Sequence, residues 1–492
     1  MAIIGAGMSG IVTARALRAM GVDVDVYEQR PDIGGVWSAT RAYPGISTQD
    51  DRRSYAFSDF PFPRSASEHP TGAEVRAYLE SYAQQHDLIE RIHLGVEVER
   101  AELAGDVWRL RLRSATGRSE VEVDWLVAAN GVFSTPHVPS WPGRADFAAA
   151  GGRVVVPSDV GDGALFDDSD VVVVGWGKTA CDIAAGTATR ARSTEVVART
   201  LTWKYPKAIG LGPLTFRHIV LTRAGERLIG GRYRDPTGRI LLSRLPERVP
   251  RKLLGRMIAR AIDRRTGLSG LGLRPRLDVS ASTGLVTEGF FEAVGDGRIR
   301  VHREQIVSEL AADGGRPVVV LADGTRLPAD VVVAATGYEQ RLDFLPDAAL
   351  AGTDVAVDGT MRLHRRVLAV DVPRFAVVGW AHSYRSPLTA ELAAVWLGAV
   401  ITGRLRVPSA EEMRRSAATF PVLREGGTHV RRAALPGVSL RELDELLGDL
   451  GCPLSREQRA AQRFRMFDPA VYAAVLPRVV GAADVVEDAL AR

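Results

Sequence analysis

Two sets of closely spaced small residues have the spacing of a phosphate-binding turn. The sets are Gly5, Gly7 and Gly10, and Gly175, Gly177 and Ala180. Both fit the pattern G-x-G-x-x-G/A, in which one residue permits the tight bend, one lets the backbone approach a pyrophosphate, and one lets helix and strand pack closely. The helix that follows holds the phosphate at its N-terminus. The chain therefore carries two predicted dinucleotide sites, at a first glycine turn (residues 5–10) and a second glycine turn (residues 175–180).

The residues that follow the next strand differ between the two turns. Glu28 lies 23 positions after Gly5, where an acid accepts hydrogen bonds from ribose hydroxyls. The same offset from Gly175 reaches Ala198, and Arg199 is next to it. A guanidinium binds a 2′-phosphate, which a carboxylate would repel, so the second site is predicted to prefer NADPH over NADH. The alternative is that Arg199 is an arginine that faces solvent at the end of a strand.

Two polar residues open the helix after the second glycine turn. Thr179 is predicted to cap that helix. Lys178 either directs a cation at the phosphates or is an exposed lysine at the helix start, and the sequence leaves both interpretations open.

Strand and helix patterns place both turns in βαβ units. A short apolar strand precedes residue 5, a helix is predicted over residues 11–21, and the strand VDVDVYE ends on Glu28. Four consecutive valines before Gly175 suit a strand that is buried on both faces of a parallel sheet. The sequence therefore predicts an α/β fold.

Composition limits the remaining chemistry. The 492 residues are 46% hydrophobic and 25% charged, as in globular proteins, and can form two or three domains. The only cysteines, Cys181 and Cys452, form no CxxC pair, and the nine histidines include no cluster, so no metal site is predicted. The longest apolar stretch, residues 392–403, is shorter than the roughly 20 residues of a membrane span. Because cleavage of a leader would destroy the first glycine turn, we predict a cytoplasmic protein without a signal peptide.

Positive charge is concentrated in one region. Residues 217–276 contain 16 Lys/Arg and four Asp/Glu, a net charge of +12, and since the whole chain carries +4 the remainder carries −8. Residues 253–265 form an amphipathic helical pattern there. The favoured interpretation is a helix that covers the core and has a solvated face; the alternative is peripheral contact with a membrane surface or an acidic ligand. No motif indicates nucleic-acid binding.

Beyond the first glycine turn, Gly34 and Gly35 precede Trp37, and residues 45–63 end in FSDFPFP. This region resembles the FAD-binding half of the flavin-containing monooxygenases, which have GGxW and F-S-D-F-P-x-P elements. The resemblance implies that Thr48 and Gln49 occupy the place of a Thr-Asn pair beside the flavin. It also places the backbone of Val98 at the adenine, although a plain core valine fits that position as well.

The second half of the resemblance concerns NADPH. The run ARTLTWKYP is similar to the R-T-x-x-W segment of the related Baeyer–Villiger monooxygenases, which involves Arg199 and Thr200, with Lys204 as a further charge. The segments around Asn130-Gly131 and Thr336-Gly337 resemble the two crossings between the FAD domain and an inserted NADPH domain. A later helix near Pro387 would direct its N-terminus at the flavin.

The resemblance implies a domain organisation. Residues 1–150 and 330–492 form a discontinuous FAD-binding domain, with a helical cap from about residue 408. Residues 151–329 form an NADPH-binding domain with a basic helical insertion at 205–280. The predicted architecture is therefore two Rossmann-like domains and a helical substrate or cap region.

One family signature is broken. The family has F-x-G-x-x-x-H before the second site, but here Phe147 and Gly152 are too far apart, and the fourth position after Gly152 is Val156. This departure leaves the cofactor sites intact. It weakens the Baeyer–Villiger alternative in particular.

The resemblance implies an enzyme that uses FAD, NADPH and O2. NADPH reduces the flavin, oxygen adds at flavin C4a, and a small-molecule nitrogen, sulfur or ketone receives one oxygen atom. Gln49 is the candidate donor near the flavin, and a structural polar role is the alternative. Competing hypotheses are a flavin reductase or electron-transfer enzyme, which the missing CxxC disfavours in its disulfide form, and a non-catalytic nucleotide-binding protein. Substrate identity and oligomeric state cannot be deduced from these residues.

Overall fold

The structure of the protein is a computed structural model, which describes most of the chain. The described residues are 1–206, 208–211, 214–215, 221–224, 248–277, 279, 284–339, 341–346, 363–380, 385–418 and 440–481. Much of the predicted basic insertion at 205–280 lies outside these ranges.

The strands of the described residues are short and most are buried on at least one face. They are β1 (Ala2–Ile4), β2 (Asp25–Glu28), β3 (Ile92–Leu94), β4 (Glu97–Ala104), β5 (Val107–Ser114), β6 (Gly117–Val123), β7 (Leu126–Ala128), β8 (Thr135–Pro136), β9 (Arg153–Val155), β10 (Asp170–Val174), β11 (Ser193–Ala198), β12 (Lys204–Tyr205), β13 (Ala208–Leu211), β14 (Leu214–Thr215), β15 (Gly284–Leu285), β16 (Arg300–Arg303), β17 (Val307–Asp313), β18 (Arg316–Leu321), β19 (Arg326–Pro328), β20 (Val331–Ala334), β21 (Tyr338–Glu339) and β22 (Phe375–Val377).

The α-helices of the same residues vary from one turn and a half to five turns. They are α1 (Met8–Ala19), α2 (Gly72–Gln85), α3 (Arg144–Ala149), α4 (Lys178–Thr187), α5 (Arg248–Thr266), α6 (Phe290–Gly295), α7 (Ser386–Ile401), α8 (Ala410–Ala418), α9 (Leu440–Asp449) and α10 (Arg456–Ala461). Among the helices of the described ranges, none has the length and apolarity needed to span a bilayer.

A parallel five-stranded sheet carries the first glycine turn. Its strand order is β22-β7-β1-β2-β3, and β1 lies at the centre. Ala2 and Ile3 of β1 are fully buried, as a strand covered on both faces requires. Helix α1 begins at Met8, three residues earlier than predicted, because Gly7 already occupies the N-cap position.

A second parallel sheet, in the order β16-β11-β10-β20-β9, carries the second glycine turn. Its central strand β10 has four consecutive buried valines, as the sequence predicts. The predicted end of the inserted domain at residue 329 is wrong, because β20 pairs in parallel with both β10 and β9. The second sheet therefore extends to Ala334, and the other domain boundaries stay predictions.

Each parallel sheet is accompanied by a three-stranded antiparallel meander. Strands β4–β5–β6 follow the first sheet's β3, and β17–β18–β19 lie between β16 and β20. The chain passes between the two sheets twice, and the passing segments pair as the antiparallel strands β8 and β21. The two predicted crossings therefore lie side by side.

Helix α7 is the most deeply buried helix of the described residues, with 13 of its 16 residues buried. It packs against α1 so closely that a Cβ on Gly398 would lie 2.7 Å from Met20 Sδ. The described part of the chain after residue 408 contains the helices α8, α9 and α10, and the predicted cap stays a prediction.

The basic helix α5 differs from the prediction. Ile258, Ala261 and Ile262 are buried as expected, but Leu253 and Met257 are exposed. The apolar residues of the pattern at 253–265 are Leu253, Leu254, Met257, Ile258, Ala261 and Ile262, and the face that contacts the core is therefore narrower than this set.

Candidate active site

The first glycine turn is sterically closed to larger residues. Gly5 has φ +106°, and a Cβ there would lie 2.8 Å from the Ala129 carbonyl oxygen. A Cβ on Gly10 would overlap the Gly5 carbonyl oxygen. No side chain caps α1 at Gly7, so its first N–H groups are available to an anion. The tight glycine turn and the uncapped helix start are therefore present, and phosphate binding there stays a prediction.

Glu28 closes the first glycine turn from the end of β2. Its carboxylate accepts hydrogen bonds from the Ala6 and Arg30 backbone N–H groups, each at 2.9 Å. Burial raises the pKa of Glu28, and the two backbone hydrogen bonds oppose that rise. The Val96 N–H donates to the Glu28 carbonyl, so the segment that leads to Val98 passes beside this acid, while the Val98 side chain is buried in the core.

The glycine pair before Trp37 packs on the first glycine turn. A Cβ on Gly35 would lie 3.1 Å from Gly7 Cα, and the Gly34 N–H donates to the Ala6 carbonyl at 3.0 Å. Trp37 donates its indole N–H to Tyr55 Oη at 3.2 Å. The GGxW element thus supports the turn through backbone contact.

The N-terminus of α7 reaches the same edge of the first sheet. Pro387 is buried in its first turn, and Gly379, just after β22, has φ +89° where any Cβ would overlap the Ser9 side chain. Asn130, beside Gly131, accepts a hydrogen bond from the Trp380 indole at 2.9 Å. Strand ends and helix starts therefore converge around the turn, as a flavin site requires.

Thr48 and Gln49, the pair that is predicted to lie beside the flavin, make different hydrogen bonds. Thr48 is buried, and its hydroxyl donates to the Asp50 carbonyl at 2.7 Å. Gln49 Oε1 accepts a hydrogen bond at 3.1 Å from the Leu285 N–H of β15, 236 positions away. Gln49 thus joins the loop beside the first glycine turn to the part of the chain that carries the second.

The second glycine turn repeats the first with small changes. Gly175 has φ +142°, and a Cβ there would overlap the Ala335 carbonyl oxygen. The same Cβ would lie 3.4 Å from Ala180 Cβ, a distance of ordinary contact, so alanine fits the third position. Gly177 is the N-cap of α4 and no side chain caps the helix; the predicted cap by Thr179 is wrong, because Thr179 already lies inside the helix.

Lys178 lies in an ion pair and is not the exposed lysine of one interpretation, whereas its contact with the phosphates stays a prediction. It pairs with Asp182, one turn further along α4, and only 18% of its side chain is exposed. Asp182 also accepts a hydrogen bond from Thr287 Oγ1 at 2.6 Å. Burial raises the pKa of Asp182, and the Lys178 cation opposes that rise.

The three residues after β11 have different environments. Arg199 is exposed and, within the described residues, forms no ion pair; Thr200 is half-buried. Lys204 is 3% exposed, and its ammonium donates to the Trp176 carbonyl and lies 5.7 Å from the centre of the Trp176 ring. Lys204 therefore lies beneath the second glycine turn and cannot add surface charge beside Arg199.

The crossing residues hold the two passing segments together. Thr336 Oγ1 donates to the His137 carbonyl, and the His137 N–H donates to the Gly337 carbonyl at 2.9 Å. His137 Nδ1 lies 2.9 Å from Glu339 Oε1. The predicted crossing positions therefore form a hydrogen-bonded hinge.

The broken signature has a structural counterpart. Phe147 is fully buried, and a Cβ on Gly152 would overlap its ring. Val156 follows β9 in extended conformation at the carboxyl edge of the second sheet. Phenylalanine and glycine are thus in contact despite their longer spacing, and valine takes the place of the histidine.

A short segment beside Gln49 packs against α4. Tyr43 Oη lies 3.4 Å from Thr179 Oγ1, and a Cβ on Gly186 would lie 2.9 Å from Pro44 Cβ. The segment at residues 43–44 therefore contacts α4 directly, next to the second glycine turn.

Sequence reasoning missed two of these features. The Lys178–Asp182 pair has a readable signal, since the residues are four apart on a helix. The Gln49–Leu285 contact has none, because it joins residues that are distant in sequence. In the described part of the chain, no group of three or more His, Cys, Asp or Glu residues is placed to hold a metal ion.

Comparison with known proteins gives a family-level match. The model of a family described as flavin-binding monooxygenase-like matches residues 1–421. A probable flavin-containing monooxygenase of Arabidopsis thaliana is 26% identical over 499 aligned positions, which cover 92% of this chain and 91% of the relative.

Solved structures show the same fold at lower identity. The S-allyl-L-cysteine S-oxygenase of Allium sativum has a TM-score of 0.60 and 19% identity, with 98% of both chains covered. The OTEMO complex with FAD and NADP has a TM-score of 0.63 and 18% identity, with 82% of this chain and 85% of that chain covered. Identities this low support the two-domain fold and no finer statement.

Proposed function

This chain belongs to the flavin-binding monooxygenase-like family, and from that premise we propose that it is an NADPH- and O2-dependent monooxygenase for a nitrogen or sulfur centre of a small molecule. The observation that carries the proposal is the pair of glycine turns with opposite charges at the following strand ends. Glu28 is buried beside the first turn and Arg199 is exposed beside the second. One turn suits a retained FAD and the other an exchanging NADPH.

The first turn fits FAD on steric grounds. Gly5 and Gly10 let the turn pack tightly against backbone carbonyl oxygens, the uncapped start of α1 offers N–H groups to a pyrophosphate, and Glu28 supplies acceptors for ribose hydroxyls. Gly35, Trp37, Thr48, Val98, Gly131 and Pro387 are proposed to line the same site.

The second turn fits NADPH by the same reasoning. Gly175, Gly177 and Thr179 surround the uncapped start of α4. Arg199 and Thr200 are proposed to bind the 2′-phosphate, since an exposed guanidinium can contact it bidentately. Thr336 and Gly337 hold the hinge at the same edge of the sheet.

The overall reaction is substrate + O2 + NADPH + H⁺ → oxygenated substrate + H2O + NADP⁺. When bound, FAD and NADPH supply hydride transfer and the activation of dioxygen. The residues of this chain bind and orient the two nucleotides, and the loop at residues 43–50 joins the two halves of the site through the Tyr43–Thr179 and Gln49–Leu285 contacts.

Gln49 is the proposed polar contact of the reaction. Its Oε1 is engaged by the Leu285 N–H, which fixes the side chain and leaves the amide Nε2–H groups as donors. A donor fixed in this way can stabilise developing negative charge without reorganisation. Leu285 thereby positions Gln49 from the second half of the site.

A second candidate function is Baeyer–Villiger oxidation of a ketone. The Arg199–Thr200–Trp203 segment supports it, and Trp203 is held by its indole N–H, which donates to the Leu277 carbonyl at 2.7 Å. Val156 in place of the family histidine counts against it.

The experiment uses the FAD-loaded enzyme with NADPH, ¹⁸O2 and one of two probes, methyl phenyl sulfide or cyclohexanone. We expect one ¹⁸O atom in methyl phenyl sulfoxide for each NADPH consumed. Label in caprolactone alone would establish the second candidate. NADPH consumption that yields only hydrogen peroxide with both probes, and with N,N-dimethylaniline as a nitrogen probe, would refute oxygen transfer and leave a flavin reductase.

A further inference from the structure

The second glycine turn depends on a buried lysine that the dinucleotide pattern does not contain. Lys204 lies on β12, and its ammonium donates to the carbonyl of Trp176, the residue between Gly175 and Gly177. The same ammonium lies over the Trp176 ring. The side chain is 3% exposed and, among the described residues, forms no ion pair.

Burial of this cation is costly unless something compensates it. The charged neighbours in the described structure are Lys178 and Asp182, and Asp182 is already paired with Lys178. Burial lowers the pKa of Lys204, and the Asp182 carboxylate opposes that fall. With both lysines protonated and Asp182 ionised, these three groups carry one excess positive charge behind the turn. Lysine is also rare in this chain. Of the 63 Lys and Arg residues, only four are lysines, namely Lys178, Lys204, Lys207 and Lys252.

The contact fixes one peptide plane. In a trans peptide the C=O and N–H point in opposite directions, and the described residues contain no cis peptide. When Lys204 holds the Trp176 carbonyl inward, the N–H of Gly177 is directed outward. That side is open, because nothing lies within 4 Å of a Cβ built on Gly177.

The first glycine turn shows that this peptide needs a partner. Ala6 holds the equivalent place between Gly5 and Gly7, and its carbonyl accepts the Gly34 N–H at 3.0 Å. Flanking glycines leave such a peptide free to rotate, so an external donor must fix it. In the second turn the donor is an ammonium.

We propose that Lys204 is a positioning residue for NADPH, which orients the Gly177 N–H toward the pyrophosphate and places a positive charge behind it. The proposal rests on the proposed function, because it requires that the second turn binds a dinucleotide. Bound phosphate supplies the negative charge that the unliganded cluster lacks. A buried cation is also less screened by salt than an exposed one.

The test measures NADP⁺ binding to the FAD-loaded protein by isothermal titration calorimetry. Lys204→Met removes donor and charge, and we expect the Kd for NADP⁺ to rise about 10- to 100-fold. Lys204→Gln keeps a neutral donor and should lose about 3- to 10-fold. FAD occupancy should stay at the wild-type level, and the KM for NADPH should rise while kcat at saturation stays within about twofold.

The control is Arg192→Met, which removes one exposed cation from the opposite, amino end of β11, where it pairs with Asp330. It should leave the Kd for NADP⁺ within about twofold. If folded Lys204→Met binds NADP⁺ as wild type does, the inference is overturned. If Lys204→Met does not fold, Lys204→Gln decides, since unchanged affinity there overturns the role of the charge. A wild-type protein that binds no NADP⁺ would instead refute the proposed function.

Discussion

The two glycine turns share one backbone path but are held by different chemical groups. The carbonyl in the middle of the first turn is held by a backbone N–H, and the carbonyl in the middle of the second by the Lys204 ammonium. Glu28, the last residue of β2, is a buried acid, and Arg199, the residue after β11, is exposed. The first turn is therefore built from fixed backbone contacts, and the second from side chains that can respond to a ligand.

This difference fits two nucleotides with different residence times. A site enclosed by α7, the Gly34–Gly35 pair and Glu28 suits a cofactor that stays bound. A site with an exposed arginine suits a cofactor that must leave after each turnover. Four substitutions test this difference between the two halves of the molecule.

The largest effect is expected for Gly10→Ala, because the new Cβ would overlap the Gly5 carbonyl oxygen. We expect FAD occupancy of the purified protein to fall by more than about tenfold, measured from flavin absorbance. The matched change in the second turn, Ala180→Gly, removes a Cβ that fits and should leave FAD occupancy unchanged. Equal FAD occupancy in Gly10→Ala and wild type would contradict the assigned geometry.

Arg199→Ala tests the contrast at the strand ends. Loss of a charge-assisted contact to the 2′-phosphate should lower the ratio of kcat/KM for NADPH to that for NADH by about 10- to 100-fold. The kcat/KM for NADH alone should change little, and this value serves as the internal control. An unaltered ratio would show that Arg199 merely faces solvent.

Glu391→Gln tests the contrast between two buried acids, Glu391 on α7 and Asp182 on α4. Glu391 on α7 accepts hydrogen bonds from Ser58, at 2.8 Å from its N–H and 2.5 Å from its Oγ, whereas Asp182 has the cation of Lys178 as a partner. Burial raises the pKa of Glu391 to about 7 from 4.5, and the Ser58 hydrogen bonds oppose that rise.

The folded state therefore keeps a proton on Glu391 that the unfolded chain releases above pH 4.5, so stability falls as the pH rises from about 4.5 to about 7. Glutamine removes that loss, and the free energy of unfolding at pH 8 should rise by on the order of 1 to 2 kcal/mol, with little change at pH 4. Urea unfolding at both pH values measures it. Equal changes at pH 4 and pH 8 would exclude titration of Glu391 as the cause.

The smallest effect is expected in the meander beside the first sheet. Arg111 on β5 pairs with Glu120 on β6 at 3.4 Å, and both side chains are about half exposed. Arg111→Ala should lower the free energy of unfolding by less than about 0.5 kcal/mol. A larger loss by urea unfolding would mean that this meander contributes more to stability than its solvated ion pairs suggest.

Local patterns were sufficient to predict the two sheets and the two turns. Glycine spacing, buried apolar strands and the position of Glu28 are set by short segments, and each segment folds as its pattern indicates. The predicted cap at Thr179 was wrong because Gly177 is the N-cap of α4, two positions earlier than the threonine. The predicted end of the inserted domain was wrong because the apolar pattern of a strand indicates that the strand is buried, but not which sheet the strand joins.

The features that could not be predicted depend on distant contacts. Lys204 belongs to a run whose spacing suggests a surface charge, and only the packing of β12 against β15 buries it. Gln49 meets Leu285 across 236 positions. No local property of either residue reveals such a partner.

The strand order also constrains how a growing chain can assemble. Every strand of the second sheet lies between Arg153 and Ala334, so that sheet can be completed as soon as Ala334 has been synthesised. The first sheet must wait for β22 and α7, which come later. Until then the edge of β7 is unpaired and the apolar side of α1 is uncovered, and both invite misassociation. During synthesis, the surrounding half of the molecule is therefore the one that most needs protection by a chaperone.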